Sequence, residues 1–255
     1  MLSPAQRDEF QRRGVLRLPA TIPAAATAAM REHLWRYLGQ VHGSHPDRPA
    51  TWTVRAPSHF QKLTATGAFD AMATDEVVAA VDDLLGVGRW HRPSHWGRPL
   101  VTFPRRDTDW TVPTRGWHLD SHGDLDDLTM LVVFAHLARV RSRGGGTLVV
   151  TGSHHLTTPR GPGRGTAPVR SAEVKAHLGR VHPWLRELWT AGDRTDRIRR
   201  YLERGAVIDG VPVRVEELTG EPGDVLVMHP RVLHAVAPNS RTTPRLMLLQ
   251  FLYAR

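Results

Sequence analysis

The stretch that decides the fold is GDVLVMHPRVLH, residues 223–234. A Gly-Asp turn leads into the apolar run Val225–Met228, which favours a buried strand. Two histidines, His229 and His234, follow among mostly apolar neighbours. Because a buried imidazole is costly without a polar partner, we interpret this segment as a strand that ends at a polar site.

Downstream, Arg245 follows His234 by eleven residues and opens the mostly apolar run 246–252. A guanidinium at the head of an apolar strand is costly to bury unless it pairs with an anion. Its planar fork is suited to a carboxylate held at two points. The residue therefore predicts an anion inside the fold.

Upstream, the pair His118 and Asp120 has the spacing of a metal-ligand pair. Residues i and i+2 of a strand point to the same face, so both side chains can reach one ion while Leu119 points away. His234 from a distant strand would complete two histidines and one carboxylate. This set suits Fe(II) and leaves coordination positions open.

The same His-x-Asp spacing occurs three times, at residues 45–47, 118–120 and 122–124. With fifteen histidines in the chain, a chance match is expected. The first pair flanks a proline in a polar loop, and the third flanks a glycine and runs into further acids, which is typical of a solvated turn. Only the pair at 118–120 follows an aromatic residue, Trp117, where a strand would enter the sheet.

Helical patterns dominate the first part of the chain, residues 1–88. Helices are predicted at 3–13, at 24–38 and from Thr74 to Gly86, with a strand at 15–19 and a long loop at 39–57. After Gly88, eight short β-rich runs are separated by turn residues. They lie at 99–103, 117–120, 129–137, 146–150, 211–216, 224–228, 235–237 and 245–253.

Short strands after a helical part favour a mainly β fold with flanking helices, whose core is a double-stranded β-helix, or jelly roll. The β series at 89–255 is interrupted by a loop and helix insertion at about 156–220. Within it, residues 159–165 are typical of a loop, and helical patterns fall at 182–190 and 193–204. We predict a single domain over residues 1–255.

Composition excludes several classes of protein. The chain has no cysteine, so disulfides and thiolate metal sites are absent. No apolar run is long enough to span a membrane, and the N-terminus lacks a secretory core, so a cytoplasmic enzyme is expected. The net charge of +9 comes almost entirely from scattered arginines, with Lys62 and Lys175 the two lysines. A solvated basic face is favoured over nucleic-acid binding.

Together these motifs resemble the phytanoyl-CoA dioxygenase-like family of Fe(II)/2-oxoglutarate-dependent dioxygenases, over nearly the whole chain. The matching segments are the opening helix, residues 14–19, the pair at 118–120, GGTLVVTGSH at 145–154, and 223–234 followed by Arg245. Thr151 stands where the family pattern has a proline, Val236 where it often has serine or threonine, and Phe134 where it often has tryptophan.

The resemblance implies Fe(II), 2-oxoglutarate and O2 as cofactor and cosubstrates. His118, Asp120 and His234 would bind the iron and carry catalysis, and Arg245 would pair with the remote carboxylate of 2-oxoglutarate. Thr102 and Phe134 are further candidates for the cosubstrate pocket, and His229 is expected to be structural. Candidates for the substrate wall are Trp110, Trp117 and His136, for which core packing is at least an equal alternative, with lids at 40–60 and 156–205.

The implied reaction is hydroxylation of an aliphatic C–H bond in a small molecule, such as a secondary metabolite, an amino-acid derivative or an acyl compound. An arginine-rich lid suits an anionic substrate. Related halogenases lack the carboxylate, so Asp120 favours hydroxylation over halogenation. Two alternatives stay open: a cupin-like metal enzyme without 2-oxoglutarate, which would not need Arg245, and a non-catalytic small-molecule binding protein. The sequence leaves the oligomeric state undetermined.

Overall fold

Helices come first along the chain. The computed structural model describes residues 1–105, 109–120, 128–157, 171–190 and 196–255. The helices of its N-terminal part are α1 (Pro4–Arg13), α2 (Ala24–His42), α3 (Gln61–Thr64) and α4 (Asp75–Leu85), with strand β1 (Val15–Leu18) after α1. As predicted, α1 opens at Ser3 and α4 at Thr74, because both side chains accept a backbone N–H of the first turn. The side chain of Gln6 bonds back to the Ser3 N–H and completes a capping box.

Two antiparallel sheets follow in the described residues. The larger sheet has the order β1-β7-β3-β9-β2, and the smaller sheet has the order β5-β6-β4-β8. Their strands are β2 (Arg98–Thr102), β3 (Met130–His136), β4 (Thr147–Thr151), β5 (Ala206–Ile208), β6 (Val211–Glu217), β7 (Val225–Met228), β8 (His234–Val236) and β9 (Arg245–Tyr253).

Alternation along the strands separates three apolar clusters. In β3, Leu131 and Val133 pack with the N-terminal helices, whereas Val132 and Phe134 share a cluster with Val149 of the smaller sheet. Leu148 and Val150 of β4, on the other face of the smaller sheet, pack with helices α5 (Ser171–Val181) and α6 (Pro183–Trp189). The layers therefore run helices, larger sheet, smaller sheet and helices.

Several elements differ from the sequence prediction. The run 117–120, predicted as a strand, forms one isolated bridge between His118 and His234. Helix α5 and strand β5 were not predicted, and α2 extends to His42. Because β5 and β6 belong to the smaller sheet, the interruption of the β series ends near residue 205 rather than 220. Of the predicted helix at 193–204, residues Arg199–Arg204 form a π-helix. Among the described residues, no helix is both long and apolar enough to cross a membrane.

Candidate metal centre

Three potential ligands meet between the bridge at His118 and the start of β8. One ligand atom from each of His118, Asp120 and His234 lies within 4.8 Å of the other two. The Nε2 atom of His118 lies 3.8 Å from Oδ1 of Asp120, and that of His234 lies 3.3 Å from Oδ2. The side chain of His118 is 46% exposed and that of His234 is 7% exposed, so the cluster is open on the His118 side.

Local hydrogen bonds orient both imidazoles. Nδ1 of His118 lies 2.7 Å from the carbonyl oxygen of Gly116, and Nδ1 of His234 lies 3.0 Å from that of Val232. A carbonyl can only accept, so each Nδ1 carries the proton and each Nε2 lone pair is available toward Asp120. Burial, and next the neighbouring His234, lowers the pKa of His118, which favours the neutral form that a metal ligand needs.

The segment that carries the His-x-Asp pair is fastened on both sides. The backbone N–H of Asp120 donates to the Pro230 carbonyl at 3.0 Å. On the other side, the backbone N–H of Leu119 donates to Oγ of Ser171, the first residue of α5, at 2.8 Å. These bonds hold the segment against the turn before β8 and against the inserted helix.

Arg245 is a buried cation at the start of β9. It lies opposite Thr102 of β2. It shares its strand face with Met247 and Leu249, which belong to the cluster between the sheets. Arg245 is 3% exposed, and within the described part of the chain its Nε and Nη1 atoms have no hydrogen-bond partner. Burial lowers its pKa to about 10, against the opposing effect of Glu217, so the group is charged at neutral pH. The arrangement suits an anionic ligand.

Comparison with known proteins rests on structure. No family model matches the sequence, and no curated protein matches it. Among solved structures, the non-heme alpha ketoglutarate dependent epimerase SnoN from nogalamycin biosynthesis aligns with a TM-score of 0.57 at 18% identity, over 98% of this chain and 80% of its own. HygX from Streptomyces hygroscopicus, solved with nickel and 2-oxoglutarate bound, aligns at 0.56 and 17% identity, over 100% and 88%.

A third structure is EvdO2 from Micromonospora carbonacea var. aurantiaca, complexed with 2-oxoglutarate. It aligns with a TM-score of 0.55 at 17% identity, over 100% of this chain and 92% of its own. The chain shares their fold. At such identities the likeness concerns the fold alone, so the roles of individual residues depend on the geometry described above.

Other predicted site residues lie in the packed interior. Thr102 is 3% exposed beside Arg245, and Phe134 faces the space between the sheets. His136 is fully buried, with its ring close to Gly220, and burial lowers its pKa to about 4. Trp110 and Trp117 join the cluster under α5 and α6. The cosubstrate contacts of the first two residues and the substrate contacts of the last three stay predictions.

Some predicted features lie outside the described residues, and some contacts were not predicted. The pair His122 and Asp124 is outside them, as are residues 158–170 and 191–195 of the predicted lid. Sequence analysis missed Ser171, whose hydroxyl meets a backbone N–H 52 positions away. It also missed Glu217, whose carboxylate accepts the backbone N–H groups of Arg143 and Gly146 at 2.6 and 3.0 Å. Neither contact has a local sequence signal.

Proposed function

We propose that the chain is an Fe(II)- and 2-oxoglutarate-dependent oxygenase. His118, Asp120 and His234 would hold the iron, and Arg245 would bind the remote carboxylate of 2-oxoglutarate. The observation that carries the proposal is the position of Arg245. Its side chain leaves β9 on the face directed between the sheets, and its guanidinium is buried. The side chain of His234 leaves β8 toward the same space between the sheets, because the side chain of the next residue, Ala235, points to the other face and joins the cluster under α5 and α6.

The donor set fits the metal. Two imidazoles and one carboxylate suit Fe(II), and they would leave room on the ion for a chelating cosubstrate and for O2. When bound, Fe(II) with 2-oxoglutarate and O2 supplies the oxidising chemistry, in which the cosubstrate is converted to succinate and CO2.

The chain's own residues would bind and orient the cosubstrate and would exclude water from its pocket. Arg245 fixes the remote end of the cosubstrate through paired N–H donors, and Thr102 and Phe134 are proposed to line the same pocket. Met247, Leu249 and other apolar side chains of the inter-sheet cluster keep this pocket poor in water, which strengthens the charge pairing. The double-stranded β-helix is the topology that we propose for the two sheets.

Hydroxylation of an aliphatic C–H bond in a small molecule is the outcome we propose. Asp120 supports it, because its carboxylate would take the place on the iron that a halide would need. SnoN, which shares the fold, is an epimerase, so the proposed outcome rests on Asp120 and on the family resemblance rather than on the fold. We propose a cytoplasmic enzyme without nucleic-acid or membrane partners.

Anaerobic titration tests the proposal without knowledge of the substrate. Fe(II)-loaded protein is titrated with 2-oxoglutarate and, as a matched control, with succinate, which has two carboxylates but no 2-keto group. We expect a weak visible charge-transfer band with 2-oxoglutarate and none with succinate. Iron binding without any band would favour the metal enzyme that does not use 2-oxoglutarate.

A further inference from the structure

The segment 117–119 has one edge toward β8 and one edge away from it. Both the N–H and the C=O of His118 pair with His234 of β8. The C=O and N–H of one peptide group point in opposite directions. The carbonyl of Trp117, which shares a peptide group with the His118 N–H, and the N–H of Leu119, which shares one with the His118 carbonyl, therefore point away from β8. Within the described residues, no strand pairs with this second edge.

Helix α5 takes the place of the absent strand. Oγ of Ser171 accepts the N–H of Leu119 at 2.8 Å, and Nζ of Lys175 donates to the carbonyl of Trp117 at 3.4 Å. Residues i and i+4 lie on the same face of a helix, so one turn of α5 serves both backbone groups. Lys175 is thereby held one residue from His118.

The contact with the Trp117 carbonyl does not explain why the side chain at position 175 is charged, because a hydroxyl or an amide could donate to a carbonyl as well. In the described part of the chain, no carboxylate pairs with Lys175, which is half-buried. A cation beside a cation-binding cluster is unfavourable unless an anion lies close to both.

We propose that Lys175 binds an anionic group of the substrate, a carboxylate or a phosphate, at the open side of the candidate metal centre. The oxidation of that substrate rests on the proposed function, whereas the anion site rests on the contacts of α5 and on the charge of Lys175 beside the ligand cluster. Lys175 would then be a specificity residue that selects anionic substrates.

The chain offers a direct test, because Lys62 and Lys175 are its two lysines. Reductive methylation with ¹³C-formaldehyde labels both side chains and the N-terminal amine while keeping their charge. The variant Lys175→Met assigns one signal, and Lys62→Met, which changes an exposed lysine, assigns the other. Methionine keeps the length of the side chain and a similar helix propensity.

Protein with Zn(II) and 2-oxoglutarate is titrated at constant ionic strength with hexanoate, with hexyl phosphate and with the neutral hexanamide. We expect the Lys175 signal to move and saturate with an anion at a concentration at least about tenfold below that needed at Lys62, which is a preference of roughly 1.4 kcal/mol. The amide should leave the signal in place. The anion that saturates at lower concentration identifies the group.

Two results would overturn the anion site: a Lys175 signal that moves in step with that of Lys62, or an equal response to hexanamide. The charge-transfer titration separates this proposal from the proposed function. Saturation at Lys175 without an iron band removes the oxygenase and keeps the anion site. An iron band without a response at Lys175 removes the anion site and keeps the oxygenase.

Discussion

The peptide groups of His118 and His234 exchange two hydrogen bonds, each with 3.0 Å between nitrogen and oxygen. Residues that exchange both bonds lie directly opposite each other in an antiparallel pair, with their side chains on the same side. The ring centroids are accordingly 4.1 Å apart, and Asp120, two residues further on, reaches the same side. Backbone pairing therefore brings together ligands that are far apart in sequence.

Loss of a ligand should abolish iron binding. We expect His118→Ala and Asp120→Ala to reduce succinate formation by about a hundredfold or more, because even residues that only support ligands are worth about 10- to 100-fold. Iron competition assays and quantification of succinate measure the effect, and circular dichroism should show an intact fold. His122→Ala is the matched control. A variant of His118 that turns over normally, beside an inactive variant of His122, would show that the ligand pair was wrongly chosen.

Substitution of Arg245 should change cosubstrate binding and leave the metal unaffected. Arg245→Lys keeps the charge and loses the two-pronged geometry, so the concentration of 2-oxoglutarate required should rise about ten- to a hundredfold, the equivalent of one charge-assisted hydrogen bond. Arg245→Ala should have a larger effect, and Fe(II) affinity should change little. The exposed Arg241→Lys is the control. Unchanged dependence on 2-oxoglutarate in the alanine variant would refute the role of Arg245.

The contact between Ser171 and Leu119 should contribute to Fe(II) affinity. Ser171→Ala leaves the Leu119 N–H without its acceptor, at a cost of about 0.5–1.5 kcal/mol, so Fe(II) affinity should fall about two- to tenfold. Ser171→Thr keeps a hydroxyl and should restore the affinity and the charge-transfer band. If the two variants behave alike, the hydroxyl has no positioning role.

Acid should destabilise the protein before its carboxylates titrate. Burial lowers the pKa of His136 and His154 to about 4 and that of His229 to about 2, whereas an unfolded chain has histidine values of about 6.5. Between about pH 6.5 and pH 4, these histidines therefore bind protons in the unfolded state and stay unprotonated in the folded state. The free energy of unfolding should be constant above about pH 6.5 and should fall below it, by up to about 1.4 kcal/mol per pH unit for each group.

Urea unfolding between pH 7.5 and pH 5 measures this slope. His33→Gln, which removes an exposed histidine, should leave the slope unchanged. A free energy of unfolding that stays constant down to pH 5 would contradict the prediction.

Elements fixed by local chemistry were predicted well. The starts of α1 and α4 depend on Ser3 and Thr74, whose side chains bond backbone groups three residues away. The burial of Arg245 was predicted from its apolar neighbours, and the meeting of His118, Asp120 and His234 was predicted from spacing together with family resemblance.

Elements that depend on distant partners were not predicted. The residues around His118 have strand-like spacing, yet a strand needs a continuing ladder, and here a helix covers the second edge. The sequence of α5 does not reveal that it would face a backbone segment more than fifty residues earlier. β5 was missed because it has three residues and Val207 is 72% exposed, so it lacks an apolar alternation.

The apolar cluster under α5 and α6 limits how the protein could be redesigned. These helices cover Leu148, Val150 and Val215 of the smaller sheet. A shortened insertion would leave those side chains in water and would make the protein prone to aggregation. New substrate preferences would have to come from side-chain exchanges along α5, with the helix itself retained.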